Sequence, residues 1–180
     1  MKTMLLFYFS FTITVFAQNQ FNQELIEKMN HLRISVGVGV LKYNPVLDSL
    51  AKEWSQYILD SLNKYEASDI LSNHLKNPHF LHFNSKERTN SMELIENIQI
   101  ERFGKYLSFE PMVDENLIFT ENYIINPENV IEKLYNGWFN CRGHYKTMVR
   151  EVYNSCGFNY AYDSSKRRYI FMVVFASVIE

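Results

Sequence analysis

The chain has 180 residues, and its 18 basic and 20 acidic side chains give a formal net charge of −2. This length suits one domain with a hydrophobic core of its own. Nucleic acid is disfavoured as a partner, because phosphate binding needs a concentrated basic face and the basic residues here are scattered along the sequence.

Residues 1–17 have the form of a secretory signal peptide. Lys2 supplies a positive start, residues 4–16 are almost entirely apolar, and Ala17 precedes a polar run. The apolar run is too short to span a membrane comfortably, and no later stretch reaches the roughly 20 apolar residues that a spanning helix needs. We therefore expect cleavage after Ala17, a single mature domain of residues 18–180, and secretion to an extracellular or periplasmic space without a membrane span.

Two amphipathic helices are predicted at the start of this domain. In residues 21–33, apolar side chains recur at spacings of three and four. The second helix begins with Asn44 as N-cap and Pro45 at its first position, and its apolar stripe continues to about residue 63. Both stripes are typical of helices that pack on a core.

Residues 64–86 are loop-like and contain three histidines, His74, His79 and His82. Their spacings of five and three match no established zinc-ligand pattern, so by themselves they indicate polar loop residues. Residues 107–122 alternate enough between apolar and polar to predict one or two strands.

A third helix is predicted with Asn126 as N-cap, Pro127 at its first position and Trp138 near its end. The chain is then expected to bend at residues 142–143 and to form a short helix over residues 144–150. His144 lies beside this bend, with Tyr145 as an apolar neighbour. Such a histidine is either poised in a cleft or hydrogen-bonded as a structural residue.

The end of the chain predicts a β-hairpin, with strands at residues 156–162 and 169–176 joined by a polar turn. Helices followed by strands and a terminal hairpin indicate an α+β layered domain with an antiparallel sheet. The 14 Phe, 12 Tyr and 2 Trp residues indicate either an aromatic core or a groove lined by rings.

Two cysteines, Cys141 and Cys156, leave two alternatives open. In an oxidising compartment they can form one disulfide, which would stabilise the fold by roughly 3 kcal/mol in the chain-entropy account. Otherwise they are free thiols that pack as small apolar residues.

Several short motifs occur in an order that resembles a known family. They are Asn30 and Arg33 on the first helix, Leu47 and Ala51 on the second, Glu121-Asn122-Tyr123, Trp138, Gly143-His144-Tyr145, and the hairpin of residues 157–175. Together they are similar to the CAP superfamily of cysteine-rich secretory, antigen five and pathogenesis-related proteins, in particular to its short bacterial secreted members. The resemblance covers essentially the whole mature chain. It implies a three-layer α-β-α sandwich with a small antiparallel sheet that ends in a β-hairpin.

The resemblance also implies a central cleft of histidine and acidic side chains, which in some members holds a divalent metal such as zinc. His144 takes the second histidine position, with Tyr145 beside it. For the first, we choose His82, with His74 behind it and His79 third.

The acidic position has to be chosen among three Glu-Asn pairs. Glu121 lies 17 positions before Trp138, which suits a strand end, a turn and a helix, whereas Glu96 lies 42 and Glu115 lies 23 positions before it. We therefore predict His82, Glu121 and His144 as metal ligands, although Glu96 fits the motif text better. Cys141 stands where eukaryotic members carry a second glutamate, so the full acidic set is absent.

These expectations favour an extracellular binding or interaction module for a protein, glycan or lipid ligand. The first alternative is a metal-assisted hydrolase in which Glu121 is the general base and His144 a metal ligand or acid. Neither G-x-S-x-G nor H-E-x-x-H occurs, which leaves the question of enzymatic activity open. The second alternative, lipid or sterol binding, is suggested by the aromatic content and by the resemblance.

Overall fold

Four helices and four strands make up the part of the chain that the structure describes. The structure is a computed structural model, and it describes residues 21–65, 113–121 and 129–178. The helices and strands are α1 (21–35), β1 (Lys42–Tyr43), α2 (Pro45–Leu62), β2 (Val113–Glu121), α3 (Val130–Phe139), α4 (Arg142–Met148), β3 (Ser155–Asp163) and β4 (Arg168–Ala176). None of the described helices is both long enough and apolar enough to cross a membrane.

The four strands form one sheet in the order β1-β3-β4-β2. Strands β3 and β4 form the predicted antiparallel hairpin, and β2 adds antiparallel to the other edge of β4. The two residues of β1 pair in parallel with the start of β3, so the sheet is mixed. The α+β architecture is thus confirmed, and the parallel pair is an addition to the predicted antiparallel sheet.

Helices cover both faces of this sheet. Because side chains alternate along a strand, Phe158, Phe171 and Val173 point to one face, where they pack with α1, α3 and α4. On the opposite face, Ala161 and Met172 pack against the apolar stripe of α2. The two cores, separated by the sheet, are consistent with the three-layer α-β-α sandwich.

Helix α2 begins as the sequence predicts. The Asn44 side-chain oxygen accepts hydrogen bonds from the backbone N–H groups of Val46 and Leu47 at 2.9 and 3.4 Å, and Pro45 is the first helical residue. The first turn of the helix then lies directly on β3. A side chain at Gly157 would overlap the backbone of Asp48, so glycine is needed there for close packing.

The other two helix starts differ from the prediction. Helix α3 begins at Val130 with Asn129 as its N-cap, so the predicted start at Pro127 is wrong by three residues, and Asn126 and Pro127 lie outside the described residues. Helix α4 begins at Arg142, so Gly143 is inside the helix and the predicted bend at residues 142–143 is also wrong. The chain changes direction one residue earlier, because Cys141 is extended at the N-cap position.

A fully buried arginine joins α1 to the end of α4. Arg33 donates hydrogen bonds to the backbone carbonyl of Gly39 and, at 2.8, 3.1 and 2.7 Å, to those of Met148, Arg150 and Tyr153. Burial lowers the pKa of this guanidinium. Four carbonyl oxygens therefore solvate the charge in place of water and fix where α4 ends.

Candidate functional site

Helix α4 carries His144 and is held on the sheet by a side chain of β2. Asn116, which is completely buried, donates from its Nδ2 to the backbone carbonyl of His144 at 3.0 Å. The His144 side chain itself is half-buried. The Asn116 contact is made to the backbone of His144, so it fixes the position of α4 and does not involve the imidazole.

An aromatic surface lies beside His144. The rings of Phe139 and Tyr145 meet edge to face at 5.6 Å, and Phe139 stacks on Tyr135 at 5.8 Å. Phe139 is 41% exposed, and the other two are half-buried. We call Tyr135, Phe139 and Tyr145 the aromatic ridge. It joins the end of α3 to the start of α4, and its member Tyr145, a predicted cleft residue, follows His144 in the sequence.

Glu121 has a different environment from the one predicted. Its Oε1 accepts a hydrogen bond from Nε of Arg168 at 3.0 Å, in an ion pair whose arginine is 1% exposed. The same guanidinium donates to the carbonyl of Leu62 at the end of α2, at 3.0 Å. Arg168, next to the hairpin turn, therefore joins Glu121 at the end of β2 to the end of α2.

Glu121 and His144 lie far apart and on opposite faces of the sheet. Glu121 is five residues beyond Asn116 on the same strand, about 17 Å away at 3.3 Å per residue. Ile118, which shares its face with Asn116, packs with the α1, α3 and α4 core, whereas Phe119, which shares its face with Glu121, packs with α2. The structure therefore does not bring these two predicted ligands together.

The other predicted metal ligands are not among the residues that the structure describes. His82, its alternatives His74 and His79, and Glu96 all lie outside them. Within residues 21–65, 113–121 and 129–178, no three His, Cys, Asp or Glu side chains are grouped as metal ligands would be. The Glu121 carboxylate is held by the buried Arg168, and the metal set of His82, Glu121 and His144 stays a prediction.

Both cysteines are free thiols, so of the two alternatives the structure does not adopt the disulfide. Cys141 is exposed at the N-cap of α4. Cys156 is completely buried on β3, and burial raises the pKa of its thiol to about 12. Cys156 is thus a small apolar core residue.

The residue that sequence reasoning missed at this site is Asn116. Its Glu-Asn pair was disfavoured because of the 23 residues that separate it from Trp138. The available signal was its place directly before the apolar run Leu117-Ile118-Phe119 of a predicted strand, since an asparagine that is buried there must find a hydrogen-bond partner.

A family model described as the cysteine-rich secretory protein family, CAP, matches residues 26–175 of this chain. The match begins within α1 and includes all later helices and strands, except the last residue of β4. The chain matched none of the curated protein sequences.

Solved structures share the fold at low sequence identity. An outer surface protein from Borrelia burgdorferi superposes with a TM-score of 0.52 at 15% identity, over 87% of this chain and 92% of that one. An extracellular protein containing an SCP domain from Bacillus anthracis gives 0.54 at 19% identity, over 88% of this chain and 41% of that one. A cysteine-rich secretory protein from Staphylococcus aureus gives 0.50 at 16% identity, over 89% and 39%. This chain therefore spans about two fifths of the length of the last two proteins.

Proposed function

Because this chain belongs to the cysteine-rich secretory protein family, CAP, we propose that it is a secreted binding module whose ligand surface is the aromatic ridge with His144. Residues 1–17 are the signal peptide in this proposal, and residues 18–180 are the CAP domain that is released. The ligand is an extracellular macromolecule.

The observation that carries the proposal is the rigid support of a partly exposed aromatic surface. The Asn116 contact and the four carbonyls bound by Arg33 fix both the start and the end of α4. On this support, Phe139 remains 41% exposed and is braced by the rings of Tyr135 and Tyr145. Rigid aromatic side chains bind partners with little loss of conformational entropy, which is why they are enriched at interfaces.

The predicted acidic member of the cleft has a structural role in this proposal. Glu121 is bound to Arg168, at the far end of β2 from Asn116 and on the other side of the sheet. No step of general base catalysis is therefore assigned to it. The ridge supplies shape, ring faces and the phenol hydroxyls of Tyr135 and Tyr145, which are elements of recognition.

Site-specific photo-crosslinking tests this surface. A benzophenone amino acid replaces Phe139 in one sample and, as a control, replaces Val152, which is 43% exposed outside the ridge. Each protein is incubated with the extracellular fraction of the cells that secrete it. We expect discrete adducts from position 139 that excess unmodified protein removes and that Tyr145→Ala reduces several-fold, with none from position 152.

Two results would contradict the proposal. Equal adducts from both positions would mean that the ridge is not the binding surface. Turnover of a peptide, ester or glycan substrate that His144→Ala abolishes, with an unchanged circular dichroism spectrum, would establish a hydrolase instead.

A further inference from the structure

A second group of exposed rings lies near the turn of the β3–β4 hairpin. Tyr160 and Tyr162 on β3 and Tyr169 on β4 point to the same sheet face as the buried Phe158 and Phe171. Tyr160 is 38% exposed, Tyr162 is 44% exposed and Tyr169 is half-buried. We call these three residues the tyrosine face. Exposed rings grouped on one face are typical of interaction sites.

The rings are ordered by a stack that begins in the core. Phe171, which is 2% exposed, lies 6.5 Å from Phe158 with an interplanar angle of 15°. Tyr169 stacks on Phe171 at 5.4 Å and 7°, and Tyr162 stacks on Tyr169 at 4.1 Å and 19°. Tyr162, at the end of this stack, therefore has one side of its ring covered by Tyr169, and the residue remains 44% exposed. A ligand that stacks there meets a side chain that is already ordered.

One exposed cation lies beside these rings. Arg167 occupies the hairpin turn with a positive φ of 51°, a conformation that only a few non-glycine residues adopt. It lies two residues before Tyr169 in the turn that joins β3 to β4. The pKa of the Tyr169 phenol is raised by burial and by a hydrogen bond with Tyr162, and the charge of Arg167 acts in the opposite direction. The turn thus carries a positive charge next to the tyrosine face.

The other charged groups at this end already have partners within the domain. The Asp163 carboxylate accepts hydrogen bonds from the backbone and hydroxyl of Ser165. Lys166 donates to the carbonyl of Asn63 at 2.7 Å, and Arg168 is paired with Glu121. Hydrogen bonds to neutral groups leave the charges of Asp163 and Lys166 in place, so with Arg167 the turn holds two cations and one carboxylate and is positive overall.

We propose that the tyrosine face binds an acidic polysaccharide, with a pyranose ring stacked on Tyr162 and a sugar carboxylate on Arg167. The partly positive C–H groups of a pyranose face are attracted to the negative face of an aromatic ring. The phenol hydroxyls of the tyrosines donate and accept hydrogen bonds, as sugar hydroxyls require. The charge of the turn selects an anionic chain, such as a polymer of uronic acid, over a neutral one.

The experiment titrates the full mature chain with a hexamer of galacturonic acid and, as a matched ligand, with the same hexamer fully methyl-esterified. The ester keeps the rings and removes the charge. We expect the acid to bind and the ester to bind several-fold more weakly, with a difference that shrinks as salt is added.

Four variants separate stacking from charge. Tyr162→Ala is expected to lower the affinity for the acid hexamer by roughly fivefold or more, because it removes the stacking ring. Tyr162→Phe retains most of the affinity. Arg167→Gly is expected to lower it by about threefold and to preserve the fold, since glycine suits a positive φ. Val152→Ala, at an exposed position outside both aromatic surfaces, leaves binding unchanged.

The proposal is overturned if the acid hexamer shows no binding at millimolar concentration, or if the ester binds as tightly as the acid. It is also overturned if Tyr162→Ala binds like wild type while it remains folded. Should Tyr162→Ala fail to fold, Arg167→Gly decides, and unchanged affinity in that variant excludes the site. A loss on Phe139→Ala alone would assign the binding to the aromatic ridge instead.

Discussion

Two buried arginines hold the two ends of this domain, and they do so by different chemistry. Arg33, which is completely buried, is bound by backbone carbonyls. Arg168, 1% exposed, is bound by the Glu121 carboxylate and by one carbonyl of α2. The four carbonyls surround Arg33 only when several segments of the chain are folded together, whereas an ion pair needs one partner. The comparison teaches that the α4 end depends on backbone carbonyls from several segments, and the hairpin end on contacts of side chains, chiefly the ion pair of Arg168 with Glu121.

The largest effect is expected from Arg33→Met. The methionine fills much of the volume but leaves the carbonyls of Gly39, Met148, Arg150 and Tyr153 without their donor. We expect the free energy of unfolding to fall by about 4 kcal/mol, because several buried acceptors lose their partner at once. Urea denaturation followed by tryptophan fluorescence measures this.

Arg33→Lys is the control for charge. A lysine keeps the charge but cannot reach all four carbonyls, so a loss of about 2 kcal/mol is expected. If Arg33→Met stayed within 1 kcal/mol of wild type, in the same two-state analysis, the carbonyl set would not hold the α4 end.

At the hairpin end, Arg168→Met is expected to cost about 3 kcal/mol, since it leaves the Glu121 carboxylate without its buried partner. Glu121→Gln is expected to cost about 2 kcal/mol, because the amide oxygen still accepts from Arg168 but the buried guanidinium loses its counter-charge. Thermal unfolding of both variants gives the two values. A loss below about 0.5 kcal/mol from both variants would break the comparison, since the ion pair would then not hold the hairpin end.

The smallest effect is expected at Asp48, between the two ends. Its carboxylate accepts from Asn22 at 2.8 Å and from Asn159 at 3.0 Å, and burial raises its pKa above 3.8 in spite of these bonds. The folded state therefore binds the proton more tightly than the unfolded state does. This contribution to stability is complete below pH 3.8 and is lost as the pH rises through the folded-state pKa.

Asp48→Asn removes this titration. We expect the stability of wild type relative to Asp48→Asn to decrease as the pH is raised above 3.8 and then to level off. Urea denaturation across that range measures the difference. An increase of the relative stability with pH would mean that the hydrogen bonds of Asp48 outweigh its burial.

Local rules predicted most of the fold. The α2 cap at Asn44, the apolar stripes of α1 and α2 and the terminal hairpin depend on neighbours in sequence, and all are present. The start of α4 was predicted wrongly because Gly143 permits a bend but does not require one, and the chain turns at Cys141 instead.

The candidate site was harder to predict because it depends on which face of a strand a residue takes. The spacing to Trp138 favoured Glu121 as the acidic residue of the site. It could not show that a strand directs Asn116 and Glu121 to opposite sides of the sheet. Arg168, which is buried and needs Glu121 as its partner, also lies far from Glu121 in the sequence. Such a long-range pair leaves no local signal at Glu121.

The two free thiols give this domain a built-in measure of its own opening. Cys141 is exposed, so a thiol reagent reaches it in the folded protein. Cys156, on β3, is completely buried in the core between the sheet and α1. Labelling at Cys156 then proceeds only through states in which the core has opened, and its rate relative to that at Cys141 reports how often those states occur. One sample analysed by mass spectrometry thus yields both a reference rate and an opening rate, without any engineered cysteine.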